Sequence, residues 1–244
     1  MSKENFLFGI IGLLFGAIIG FMSANSINRN AATPATANPS ADNSQMMSEN
    51  SNMPPGHPDI SGSNALPSLG EITPEIQAAI DKAKSEPDNF DAQLKAAEFY
   101  YQIQQLDNSI EYLTRANKLK PESYEVIVHL GNANFDSNKF EEAEKWYVSA
   151  LGKKQDDVGV RTDLGLTYIF RETPNYDRAI EEFNKSLGFD PNHIQTLQNL
   201  TVAYIKKKDA ENATKTLSKL EAADAKNTAV SKLREDIKNI GKTP

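Results

Sequence analysis

The chain contains no cysteine. That excludes disulfides, thiolate metal sites, a cysteine nucleophile and the lipid-modified cysteine of a bacterial lipoprotein. It leaves the compartment open, since a cysteine-free chain suits oxidising and reducing surroundings alike. Histidine is scarce as well: the three present, His57, His129 and His193, stand at no metal-ligand spacing. No glycine-rich phosphate loop follows a strand-like run, and no strands are expected. Excess positive charge is also missing. Against 33 acidic residues there are 26 Lys and Arg, giving a net charge of −7 over 244 residues, which argues against a broad nucleic-acid surface. The pairs Glu141-Glu142 and Glu181-Glu182 come nearest to an acid–base constellation. Both open an expected helix, where acidic side chains complement the dipole and face solvent. No enzyme activity, cofactor or metal is therefore expected.

One long apolar run is present. Residues 6–22, FLFGIIGLLFGAIIGFM, carry no charge. As a helix rising ~1.5 Å per residue they reach roughly 26 Å, slightly short of a hydrocarbon core of about 30 Å. A cleavable signal peptide has a shorter apolar core and small residues at its cleavage site. Here Met22 stands two residues before the candidate end at Ala24, a poor fit. Residues 1–22 are read as an uncleaved signal-anchor with a single transmembrane helix at 6–22; a cleaved leader and a buried helix are the alternatives. The amino terminus and Lys3, offset by Glu4, precede the segment and Arg29 lies beyond it. This balance favours an N-inside anchor that exports the remainder to the extracytoplasmic, periplasmic side. Gly12, Gly16 and Gly20 fall four apart on one face. Small residues so spaced let two membrane helices approach and would give a homo-oligomer; the bland reading is that glycine is common in membrane helices.

Residues 23–70 are rich in Asn, Ser, Ala, Pro and Met, with little periodicity. Such a composition cannot bury enough apolar surface to offset its ordering entropy, so a flexible linker is expected. Its root-mean-square span would be on the order of 35–40 Å. Pro54-Pro55-Gly56-His57-Pro58-Asp59 is read as a stiff stretch of that linker, with a weak metal or haem contact by His57 as the alternative.

From residue 71 the pattern changes. Thr73-Pro74 has the form of an N-cap with proline at the first helical position. Ile76, Ala79, Ile80 and Ala83 then share a face until Pro87, so residues 71–87 are expected to form an N-terminal capping helix. Beyond them a repeat appears. Tyr100, Asn134, Tyr168 and Tyr204 stand 34, 34 and 36 apart. Small residues recur in step at Ser109, Ala143, Ala179 and Ala213, and at Ala116, Ala150 and Ser186, with Leu220 in the fourth copy. Bulky ones recur at Leu113, Tyr147, Phe183 and Leu217. A fixed period of this length means stacked supersecondary units, each too small to bury its own apolar face. Residues 88–226 thus divide into four copies, about 90–123, 124–157, 158–193 and 194–227. Val230, Leu233, Ile237 and Ile240 form one apolar face of a closing helix within residues 227–244.

Both halves of each copy have helical spacing, so the fold class is all-α. The pattern resembles the tetratricopeptide repeat. Leu130-Gly131 and Leu164-Gly165 carry its central dipeptide, Tyr100, Tyr168 and Tyr204 its eleventh position, and Pro121 and Pro191 its terminal proline. The first and fourth copies have Ala96-Ala97 and Leu200-Thr201 instead, Asn134 departs from tyrosine, and Gln155 replaces the proline. The third copy has two extra residues around Thr173-Pro174.

The resemblance implies a right-handed superhelical solenoid whose first helices line a concave, partner-binding groove. On that reading the groove holds Leu94, Tyr101, Val128, Asn132, Phe135, Leu166, Ile169, Phe170, Val202 and Ile205. Glu98, Gln102, Asp136, Thr162, Gln198 and Lys206 join them at the remaining inward positions. The alternative for any one residue is packing between repeats. Members that grip a free carboxylate use basic groove residues, and Leu94, Val128, Thr162 and Gln198 occupy those positions here. The expected function is a membrane-tethered adaptor or assembly factor that binds a protein or peptide partner, an amphipathic helix or extended segment, with no nucleic acid. The alternatives are a chaperone-like component of cytochrome c maturation and a self-associating membrane scaffold.

Overall fold

Capping side chains recur with the same period as the core. Asn89, Ser123, Asp157 and His193 each accept the backbone N–H three residues on, at 3.1, 3.4, 3.0 and 3.4 Å. Each satisfies a donor that a helix start leaves without an intrahelical partner. The four helices they open are the first members of four pairs. The structure, a computed structural model, describes residues 72–242. The expected anchor, with Gly12, Gly16 and Gly20, and the expected linker, with His57, lie outside the described residues.

Among the described residues there are ten helices and no strand. They are α1 (Pro74–Ser85), α2 (Phe90–Gln102), α3 (Leu106–Leu119), α4 (Tyr124–Asp136), α5 (Phe140–Lys153), α6 (Val158–Phe170), α7 (Tyr176–Phe189), α8 (Ile194–Lys206), α9 (Ala210–Ala223) and α10 (Val230–Lys238). Each packs on the helix before and the helix after it, α6 also meets α8, and α8 also meets α10. Contacts that stay this local define a solenoid. No helix among the described residues is long and apolar enough to cross a membrane.

The recurring positions form the core. Ser109, Ala143, Ala179 and Ala213 are fully buried, as are Ala116, Ala150, Ser186 and Leu220. Leu113, Tyr147, Phe183 and Leu217 fill the space between the paired helices. Gly131 and Gly165 let the two largest rings in: a Cβ on either glycine would lie 2.5 Å from Tyr147 or 2.4 Å from Phe183. Where the glycine is replaced, by Ala97 and Thr201, the corresponding bulky position is the smaller Leu113 and Leu217. The departures from the Leu-Gly dipeptide are thus matched by shorter side chains opposite.

The turns inside the pairs share one scheme. The carbonyls of Tyr100, Asn134 and Tyr204 accept the N–H of Gln105, Lys139 and Asp209 at 2.8, 2.8 and 2.9 Å. Between them Gln104, Asn138 and Lys208 take φ of 62°, 58° and 61°, the left-handed conformation that ends a helix. In the third pair the Tyr168 carbonyl accepts from Asn175 at 2.8 Å. The two-residue insertion is absorbed within that same closure, and the period is restored.

The ends are covered as the apolar faces require. Thr73 caps α1, which buries Ile76, Ile80 and Ala83, continuous with the core of the first pair. At the other end Leu233 is buried with Leu197, Leu217 and Leu220, and Val230 and Ile237 pack against that cluster.

Candidate functional site

The first helices α2, α4, α6 and α8 carry the ten residues expected to line a groove. The structure leaves Leu94, Tyr101, Phe135, Ile169, Phe170, Val202 and Ile205 partly exposed. Val128, Asn132 and Leu166 are buried, with at most 8% of their surface accessible. They sit midway along α4 and α6. Asn132 accepts a hydrogen bond from the Tyr147 hydroxyl at 2.9 Å, which ties α4 to its own pair partner.

At the middle of the stack the aromatic residues converge. Phe135 at the end of α4 meets Phe140 at the start of α5, ring centroids 5.3 Å apart, and Phe170 at the end of α6, 5.8 Å apart. Phe140 and Phe170 stack at 6.1 Å. Phe140 is largely buried and holds the other two rings, which remain partly accessible. Phe140 was not among the expected groove residues, because it opens a second helix rather than lying on a first one.

Beside this shelf lies a polar junction. The Tyr101 hydroxyl donates to Asp136 Oδ2. Burial pushes the Asp136 carboxyl up to about 6, against the hydrogen bond from Tyr101. Asp163, on α6, is 6% exposed; burial first, and then the charges of Asp136 and Asp157, push its carboxyl well up. Asp163 escaped the sequence reading because it falls outside the inward positions of the repeat. The available signal was a lone carboxylate inside the apolar run VGVRTDLGLTYIF.

The polar residues elsewhere are structural. His193 is buried and caps α8; its Nδ1 lies 2.6 Å from Thr196 Oγ1. That hydroxyl continues to Thr162 at 2.6 Å and Ser186 at 3.2 Å. The acidic pairs depart from expectation: Glu141 and Glu142 open α5, whereas Glu181 and Glu182 lie midway along α7. Glu141, Glu142 and Glu181 are exposed, whereas Glu182 is buried and meets Arg161 Nη1 at 2.9 Å. Two residues of α6 and α7 thereby lock the third pair. Arg171, in the inserted turn, reaches Glu144 at 2.7 Å, and Tyr168 donates to the same carboxylate at 2.8 Å. Burial opposes ionisation of Glu144, but those hydrogen bonds hold its carboxyl below the ordinary range. Among the described residues no group of three potential ligands surrounds a metal-sized space.

The chain matches two family models, each described as tetratricopeptide repeat, over residues 90–123 and 174–237. No curated protein matches it by sequence. Solved structures do match. A crystal structure of MamA is 27% identical, with 62% of this chain covering 87% of that one at a TM-score of 0.57. YrrB, described as a TPR protein with an unusual peptide-binding site, is 18% identical over 66% of this chain and 84% of its own, at 0.59. A tetratricopeptide repeat protein from Parabacteroides merdae ATCC 43184 is 18% identical over 62% of this chain and 59% of its own, at 0.57. Residues 124–173, between the two matched segments, have the same paired helices and the same recurring core positions. Residues 90–123 and 174–237 thus match tetratricopeptide-repeat models, and the described helices stack as a solenoid like those of the similar structures.

Proposed function

We propose that this chain is an adaptor or assembly factor that binds a protein partner, presented as a peptide or amphipathic helix, along the concave face of a right-handed solenoid. The observation that carries the reading is the aromatic shelf of Phe135 and Phe170, two partly exposed rings held at 5.8 Å on consecutive first helices. Partly exposed Leu94, Ile169, Val202 and Ile205 extend the apolar stripe to either side. A contiguous apolar strip on a helical surface is the form that takes up a helix or extended segment. The peptide-binding site named for YrrB supports a similar use of the shared fold. Residues 6–22 are proposed to tether the domain to a membrane, with the repeats on the extracytoplasmic side and residues 23–70 as the linker. Gly12, Gly16 and Gly20 would pair two anchors.

The test is a photoreactive amino acid at Phe135 in the full-length chain in its own membrane, with the crosslinked peptide mapped. Capture of a distinct protein, lost in Phe170→Asp while the circular dichroism stays helical, is the expected result. Capture of the chain by itself alone would replace the adaptor with a self-associating scaffold.

A further inference from the structure

The junction of the first three pairs holds five polar residues: Tyr101, Asn132, Asp136, Tyr147 and Asp163. Two hydrogen bonds account for four of them, Tyr101 to Asp136 and Tyr147 to Asn132. One repeat further along, the same register positions hold Phe135, Leu166, Phe170, Phe183 and Asn199. There the Phe135–Phe170 ring contact stands where the Tyr101–Asp136 hydrogen bond stands. The chain thus builds the same stacked junction with no phenol and no carboxylate in it. The two acids are not a requirement of the fold.

Asp163 is the residue that stacking leaves unexplained. It is 6% exposed. Among the described residues it accepts no hydrogen bond and joins no ion pair. The groups that act on it are the like-charged Asp136 and Asp157. Among the described residues Asp136 has the Tyr101 hydroxyl alone as a side-chain donor. No described lysine, arginine or histidine stands in an ion pair with either carboxylate. A buried carboxylate with no donor is costly until a partner completes it. Its neighbours Asp136 and Tyr101 are partly exposed, so the junction opens on the face that carries the aromatic shelf. Two carboxylates with no third ligand make a poor metal site, but they suit an ammonium or guanidinium group.

We propose that the Asp136–Asp163 notch receives a lysine or arginine side chain of the bound segment, so that the partner is a basic residue flanked by apolar ones. This rests on the groove reading above and names the chemistry of its ligand. The aliphatic stem lies along Phe135, which precedes Asp136 on α4, and the charged end reaches the two carboxylates. Burial pushes Asp136 up to about 6, so an entering cation displaces a proton there and binding tightens as pH rises through that value.

The test selects phage-displayed random dodecapeptides on the immobilised full-length chain, on Asp163→Asn and on Phe170→Asp. Asparagine already occupies the equivalent position at Asn199, so Asp163→Asn preserves the stack. Wild type is expected to select a lysine or arginine at one fixed place between apolar residues. Asp163→Asn should keep the apolar residues and lose the fixed cation. A selected peptide resynthesised with norleucine for its lysine should bind on the order of thirtyfold more weakly to wild type. Its affinity for Asp163→Asn should barely change. Apolar selection without a fixed cation, or a cation retained on Asp163→Asn, overturns the notch and leaves the groove standing. Selection unaffected by Phe170→Asp, or no peptide at all, overturns both. Stabilisation by calcium or magnesium chloride in wild type but not in Asp163→Asn would make the notch a metal site and overturn the assignment.

Discussion

Three helical glycines allow one argument to be tested against itself. A Cβ on Gly165 would lie 2.4 Å from Cε1, 2.8 Å from Cδ1 and 3.0 Å from Cζ of Phe183. The ring has no room to retreat, because Phe183 is 0% exposed. Overpacking of this kind costs typically about 1–3 kcal/mol, and contacts this short place Gly165→Ala at the upper end. Replacing a helical glycine by alanine returns up to about 1 kcal/mol of propensity. The net expectation is a loss of about 2 kcal/mol, or roughly 4–8 °C in Tm for a domain of this size. Gly152 and Gly188 have nothing within 4 Å of the added Cβ. The same substitution there should stabilise, by about 0.5–1 kcal/mol. Phe183→Leu in the Gly165→Ala background should restore part of the loss, since Ala97 with Leu113 is the native combination in the first repeat. Urea unfolding and thermal scans of the four single variants and the double measure all of this. If Gly165→Ala were as stable as Gly188→Ala, or Phe183→Leu gave no coupling, glycine–ring complementarity would not be what sets the spacing of the paired helices.

Two further perturbations address the charged interior. The folded carboxyl of Asp136 lies near 6, raised from 3.8 by burial. The folded state therefore holds a proton that the unfolded chain releases, so the contribution of this group is present at low pH and lost as pH rises from about 4 to 6. At about 1.4 kcal/mol per pKa unit this amounts to about 3 kcal/mol. Asp136→Asn, which keeps an acceptor for Tyr101, should gain on wild type by up to that amount between pH 4 and pH 7.5 in urea titrations; a difference constant with pH would refute the argument. Glu182→Ala should destabilise by about 3 kcal/mol, because it leaves Arg161, only 12% exposed, without its buried carboxylate. Glu181→Ala, one residue away and exposed, should change the urea midpoint little, and equal effects at the two sites would show that the Arg161 contact contributes nothing.

The period was legible because a stacked repeat places the same demand on the same position each time. A residue wedged between paired helices must be small at Ala143 and Ala179 and large at Tyr147 and Phe183, and the chain displays those demands at 34–36-residue intervals. One helix start could be read as well, from Thr73-Pro74, whereas the caps that recur ahead of α2, α4, α6 and α8 emerged only from the structure. A departure such as Thr173-Pro174 was readable as an insertion, since a turn can lengthen while its closing hydrogen bond is kept.

The surface was less legible. Helical periodicity assigns a residue to a face, but the distance between neighbouring helices determines how much of that face is covered. Val128, Asn132 and Leu166 lie on the expected side and are nonetheless buried, whereas Phe135 and Phe170, at the ends of the same helices, stay accessible. Glu182 and Glu142 are each the second acid of an adjacent pair on a second helix, Glu142 in the first turn of α5 and Glu182 midway along α7, yet only Glu182 faces an arginine from the helix before it. By itself the sequence determined the all-α repeat, its register and its core, because those depend on local periodicity and steric size. Only the tertiary structure decided that Asp136 and Asp163 share one junction and that Asp163 has no donor there among the described residues, because that depends on side chains from different repeats that the stacking of the helices brings together.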